Sequence, residues 1–122
     1  MKSPIVLAVD TTNLSQAQDW VHATKEFIGM FKLGLEFFLA NGINGVERVK
    51  ETAGEIPLFL DLKLHDIPNT VAGAARAISE IKPDFLTVHA SGGTAMVSAA
   101  AHALPSTRIT AVTVLTSLSL GD

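Results

Sequence analysis

The sequence contains no cysteine, which excludes a disulfide framework and a thiolate metal site. It has no run of lysine and arginine. Nine basic residues are outnumbered by twelve acidic ones, giving a formal net charge of −3 and a pI near 5.7. That balance argues against a nucleic-acid-binding surface and against a basic patch for docking on membranes. Long hydrophobic runs are also missing, since Pro or Gly interrupts the apolar stretches well short of the roughly 20 residues a bilayer span needs. Met1-Lys2-Ser3-Pro4 leads into a strand-like segment instead of a signal-peptide core, so a cytoplasmic location is expected. What the chain does have is apolar mass: 48% hydrophobic residues and a mean hydropathy of +0.35, enough in 122 residues for one real core.

Residues 5–9 are continuously apolar and β-branched, the pattern of a fully buried strand, and end in the polar loop Asp10-Thr11-Thr12-Asn13. Ser15 and Gln18 have the spacing of a capping box, and Ala17, Trp20, Val21, Thr24, Phe27 and Ile28 fall on helical spacing up to Gly29. Residues 31–33 make a second strand. A helix over 35–52 carries Phe38, Val46 and Val49 inward, with Gly42 and Gly45 weakening its middle. Residues 57–60 read as strand three. Pro68 suits the first turn of a helix whose stripe of Val71, Ala74, Ala75 and Ile78 runs to Ile81, and Pro83 stops it. Strand four is 85–89, Ser91-Gly92-Gly93-Thr94 a turn, 95–103 an alanine-rich helix and 109–115 strand five.

The run Asp61-Leu62-Lys63-Leu64-His65-Asp66-Ile67-Pro68-Asn69-Thr70 places a lysine between two carboxylates directly after a short apolar strand. Side chains two residues apart on a strand share a face, so Asp61 and Lys63 point the same way. Ionisable groups at the end of a buried strand must be paired or solvated to escape a desolvation cost of several kcal/mol. Two readings fit: a chemical site, or a salt-bridged strand end with Asp66 capping the next helix.

Alternating strands and helices, with no linker long enough for a boundary, imply one domain over residues 1–122 and a parallel sheet covered by helices. An open doubly wound sheet and part of an eight-fold barrel both fit that order. Asp10, Lys32, Asp61 with Lys63, His89, and Thr116 with Ser117 fall at or just beyond the carboxyl ends of five successive strands. In a barrel those ends converge on one mouth, whereas an open sheet spreads them along an edge. The fold expected is therefore α/β: parallel (β/α) units forming the first half of a TIM barrel, about five strands and four helices of a protein that typically runs to about 250 residues.

Residues 5–10, Lys32-Leu33-Gly34, the signature Asp61-x-Lys63-x-x-Asp66-Ile67-Pro68-x-Thr70, Val88-His89-Ala90 and Val114-Leu115-Thr116-Ser117 resemble the orotidine 5′-monophosphate decarboxylases of bacterial type. The resemblance covers the whole chain and about the first half of that family's barrel. It implies loss of CO2 from C6 of the orotate ring to give UMP, with neither metal nor organic cofactor. By the same resemblance Lys63 is the ammonium that stabilises the C6 carbanion and supplies its proton, and Asp61 lies against the departing carboxylate. Lys32 ties the carboxylates together and contacts the ribose, and Asp10 binds a ribose hydroxyl. Asp66, Ile67 and Thr70 act across a homodimer interface in the neighbouring subunit's site. Thr116 and Ser117 lie near the pyrimidine. The family's phosphate-gripping loops and arginine follow the last strands of such barrels, beyond Asp122.

The residues alone leave other readings open. Lys32 can be a snorkelling lysine at a strand end, and Asp10 can start a turn and cap the next helix. His89 is read as a satisfied histidine and kept out of catalysis, and His65 has no role that follows from the motif. His22 and His102 are expected on helix surfaces, and Gly92-Gly93 as a tight turn in place of a phosphate cradle. Two competing functions remain. One is a magnesium-dependent sugar-phosphate decarboxylase or synthase of the same superfamily, which places a glutamate where this chain has Lys32. The other is an inactive half barrel acting as an association unit through its exposed strand edges.

Overall fold

The computed structural model describes residues 2–122. Five strands form one sheet in the order β1-β2-β3-β4-β5, every neighbouring pair parallel. They are β1 (Val6–Ala8), β2 (Met30–Gly34), β3 (Leu58–Leu64), β4 (Phe85–His89) and β5 (Arg108–Val112). Between them run α1 (Leu14–Thr24), α2 (Leu35–Ala53), α3 (Pro68–Ala77) and α4 (Thr94–Ala103), with short 3-10 turns at Ser79–Ile81 and Ala90–Gly92. Strand order equal to chain order means each βα unit steps sideways in the same sense. That is barrel progression; an open doubly wound sheet would reverse.

Period-two alternation sorts the side chains. Phe31 and Leu33 of β2, Leu58, Leu60 and Leu62 of β3, and Leu86 and Val88 of β4 are buried beneath the helices. Ala17 and Val21 of α1, Phe37, Val46 and Val49 of α2, Val71 and Ala75 of α3, and Met96 and Ala100 of α4 meet them there. Each large side chain fully buried in this layer contributes about 1.5–3 kcal/mol. The opposite, concave face carries Phe59 stacked on Phe85 with ring centroids 5.5 Å apart and the Arg108 guanidinium 5.4 Å above Phe85.

Several expectations are corrected. Residues 5–9 are not a strand buried on both faces: β1 spans only Val6–Ala8, Ile5 precedes it and is 55% exposed, and Val6, 50% exposed, lies on the face shared with Lys32 that no helix covers. The capping box at Ser15 is absent. Asn13 caps α1, its side chain accepting from the Gln16 N–H at 2.9 Å, while Gln18 reaches Thr52 on α2. Helix α1 stops at Thr24, which leaves Phe27 exposed and only Ile28 of the trailing pair in the core. In α2 Phe37 takes the fully buried place expected of Phe38, and the helix breaks at Gly42, where φ is +67°. Helix α3 ends at Ala77 and Ile78 and Ile81 are buried from the turn after it. Strand β3 extends four residues past Leu60, so Asp61 and Lys63 lie within it, and β5 ends at Val112 instead of Leu115.

Candidate active site

The concave face at the carboxyl ends of the strands holds the ionisable cluster. Register places Gly34 beside Asp61 and Lys32 beside Phe59, so Lys32 reaches upward and across to Asp61 on the neighbouring strand. The Lys63 ammonium donates to both carboxylate oxygens of Asp61, at 3.0 Å to Oδ1 and 2.9 Å to Oδ2, and Lys32 Nζ lies 3.8 Å from Oδ2. Asp61 is largely enclosed, with a side chain 13% exposed, whereas those of Lys32 and Lys63 are 30% and 37% exposed.

Lys63 does not occupy ordinary strand backbone. Its φ is +48°, in the left-handed region. The ladder between β3 and β4 pairs Leu60 with Leu86 and next Leu64 with Val88, so β3 advances four residues where β4 advances two. The surplus is a bulge over Thr87, a device that re-aims side chains beside sites. Left-handed backbone in a non-glycine residue costs about 1–3 kcal/mol and persists only where surrounding structure imposes it. Here the Lys63 N–H, displaced from the ladder, donates to Thr87 Oγ1 at 2.9 Å, and the same hydroxyl donates to Asp61 Oδ1 at 2.7 Å.

Burial alone would raise the Asp61 carboxyl above its usual range. The Thr87 hydroxyl, the Lys63 hydrogen bonds and the charges of Lys63 and Lys32 outweigh that and hold it below the ordinary value. The site therefore keeps one carboxylate ionised between two ammonium groups.

Two adjoining clefts share Lys32, Asp61 and Lys63. One, of about 200 Å³, adds Asp10, Thr11, Glu36 and Phe37; the other, of about 530 Å³, adds Phe59, Thr87, Thr110, Thr116 and Ser117. Together they match the size of a small-molecule site. Of the residues expected from sequence, Asp10, Lys32, Asp61, Lys63, Thr116 and Ser117 thus line one mouth. Asp66, Ile67 and Thr70 do not: they are exposed on the loop and first turn beyond β3 and line neither cleft. Asp66 is no helix cap, because Ile67 occupies that position and the Asp66 carboxylate accepts only the adjacent Ile67 N–H. His89 ends β4 with its ring 5.0 Å from that of His65, away from the ion cluster's hydrogen bonds, and His22 and His102 are exposed. Ser91 and its two glycines form the turn into α4. The sequence reading passed over Thr87. Its signal was a lone hydroxyl in the middle of the apolar strand Phe85-Leu86-Thr87-Val88-His89, a place where a polar group needs a partner.

A parallel sheet stepping in one direction, with helices outside and paired charges at its carboxyl rim, defines a chain of the TIM-barrel class with its site where such barrels keep theirs. A family model described as "Orotidine 5'-phosphate decarboxylase / HUMPS family" matches residues 3–121, and the chain belongs to that family. An orotidine 5'-phosphate decarboxylase of Thermobifida fusca is 53% identical over 118 residues, which cover 97% of this chain and 50% of the relative. That of Sphingopyxis alaskensis is 52% identical over 123 residues, covering all of this chain and 54% of the relative. Among solved structures, orotidine 5'-phosphate decarboxylase from Lactobacillus acidophilus superposes with a TM-score of 0.82 at 32% identity over 97% of this chain and 56% of that one. An uncharacterized conserved protein from Geobacillus kaustophilus reaches a TM-score of 0.86 at 32% identity, covering 97% and 58%. The chain spans about half the length of the curated relatives it matches.

Proposed function

We propose that the protein carrying this sequence is an orotidine 5′-monophosphate decarboxylase that yields UMP and CO2 in pyrimidine biosynthesis without a metal or organic cofactor. Residues 1–122 form a single domain, the N-terminal part of its (β/α)8 barrel. The observation that carries this reading is Asp61 held between the ammonium groups of Lys63 and Lys32 at the rim of the strands.

In the reaction the bond between C6 and the carboxylate carbon breaks, its electron pair stays on C6 and CO2 leaves. The Lys63 ammonium faces that developing negative charge and then transfers a proton from Nζ to C6, after which solvent reprotonates the amine. Charge of opposite sign 4 Å away is worth about 4 kcal/mol at an effective dielectric near 20. Asp61 orients the Lys63 ammonium through two hydrogen bonds and lies against the substrate carboxylate, so that like-charge repulsion in the bound state is relieved as CO2 departs. Lys32 ties the carboxylates together and contacts the ribose, Asp10 accepts a hydrogen bond from a ribose hydroxyl, and Thr116 and Ser117 border the pyrimidine. These contacts do not reach the roughly 20 kcal/mol that very slow reactions demand, and the remainder comes from positioning and from binding the substrate phosphate.

Asp66, Ile67 and Thr70 complete the site of the neighbouring subunit in a cytoplasmic homodimer. Their exposure, with Ile67 65% accessible, supports that reading. Within the family the alternative is magnesium-dependent chemistry on sugar phosphates. Two ammonium groups at 2.9 and 3.8 Å from the one enclosed carboxylate repel a divalent cation, which favours the metal-free reaction. Loss of absorbance of orotidine 5′-monophosphate, followed with and without EDTA, tests the choice. Unchanged turnover in EDTA is expected, and turnover that vanishes with the chelator and returns with Mg²⁺ would contradict it.

A further inference from the structure

Thr87 is 3% exposed and the one buried polar side chain recorded within the described core. Its single hydroxyl joins two structural facts that are otherwise separate: the direction of the Asp61 carboxylate and the left-handed turn of the Lys63 backbone. Because one proton is available, the geometry fixes its use. The hydroxyl donates to Asp61 Oδ1, which cannot donate, and its lone pair accepts the Lys63 N–H. Leu86 and Val88 on either side are apolar and the His89 ring lies beside that of His65, so no neighbouring side chain on that strand replaces it.

We propose that Thr87 is the positioning residue of this site, acting through Asp61 and Lys63 so that the carboxylate and the ammonium face the reacting carbon together; this inference rests on the decarboxylase reading above. Without the hydroxyl, the Lys63 N–H has no ladder partner at the bulge and the Asp61 carboxylate loses a fixed donor. The bulge then relaxes and Lys63 Nζ leaves the geometry that proton transfer requires. The direction of the Asp61 titration supports the same role, since the Thr87 hydrogen bond stands first among the influences that lower it. The other charged groups around this carboxylate are Lys63 and Lys32, with Asp10 and Glu36 on the cleft wall.

The test compares Thr87→Val, which keeps the shape and removes the hydroxyl, with Thr87→Ser, which keeps the hydroxyl and removes the methyl. Both are made in the protein carrying this sequence, beside Lys63→Ala. In Thr87→Val, kcat falls about 10- to 100-fold with KM changed less than about threefold, and the acid limb of the kcat/KM profile moves to higher pH. Thr87→Ser recovers kcat and the acid limb. The Asp61 carboxyl, titrated by carbon-13 NMR without substrate, moves upward in Thr87→Val and returns in Thr87→Ser. If Thr87→Val fails to fold, Thr87→Ala against Thr87→Ser makes the same comparison. Serine as impaired as valine, or an Asp61 titration that does not move, overturns the inference. A parent protein that does not turn over orotidine 5′-monophosphate overturns the decarboxylase reading, and the substrate-free titration still decides the role of Thr87.

Discussion

Asp61 sets the chemistry at the residue scale, because its charge is maintained by neighbours instead of by water. Its carboxyl titrates below the ordinary value, so it contributes stability that is fully present above the unfolded-state value of about 3.9 and is lost as pH falls through the lower folded value. The thermal midpoint of the native chain is therefore expected to drop as pH is lowered from about 4, and Asp61→Asn to flatten that part of the curve. An identical slope in both proteins would show that Asp61 is not held ionised. The sequence made Asp61 and Lys63 legible as neighbours on one face because strand periodicity is simple. It did not reveal the left-handed backbone of Lys63, since nothing in a lysine announces φ of +48°, nor the acceptor and donor use of Thr87, which depends on the register of a strand 26 residues away from Asp61.

Elements were legible where a single signal dominated. Strand β4 was read with its observed bounds because Asp84 and the helix-stopping Pro83 precede a short β-forming run, Phe85-Leu86-Thr87-Val88-His89. Boundaries failed where two signals competed, as at α1, where Asn13 and Ser15 are both good caps and the backbone selects Asn13. Asn13→Ala should accordingly cost about 1 kcal/mol by thermal or urea unfolding, whereas Ser15→Ala should cost almost nothing. Gly29 holds a different constraint. A Cβ there would stand 2.0 Å from the Ser3 carbonyl oxygen, and the Gly29 N–H donates to Ile5 O at 2.9 Å as β1 comes alongside β2. Gly29→Ala is expected to destabilise by roughly 1–3 kcal/mol through displacement of β1, and a midpoint equal to that of the parent would count against this packing.

The whole molecule explains two apolar features of the concave face, the exposed Val6 of β1 and the stacked Phe59 and Phe85. Both belong to the inner surface of a barrel, of which these five parallel strands make up the first half in the matching structures. Strand edges at β1 and β5 each have one unpaired side, so the 122-residue chain prepared by itself should associate at micromolar concentration, and light scattering showing a clean monomer would contradict this. The exposed loop from Asp66 to Thr70 belongs to this scale as well. If it completes a neighbour's site, mixing inactive Lys63→Ala protein with inactive Asp66→Ala protein restores turnover, because every mixed dimer holds one site with both residues intact; no recovery would place Asp66 in its own subunit's site or outside catalysis. The most direct test of the proposed chemistry is release of labelled CO2 from carboxyl-labelled orotidine 5′-monophosphate, measured for the protein carrying this sequence and for its Lys63→Ala variant. The expected result is a fall of at least about a thousandfold with the fold retained, and release within about tenfold of the parent would contradict a protonated Lys63 as the group that meets the carbanion.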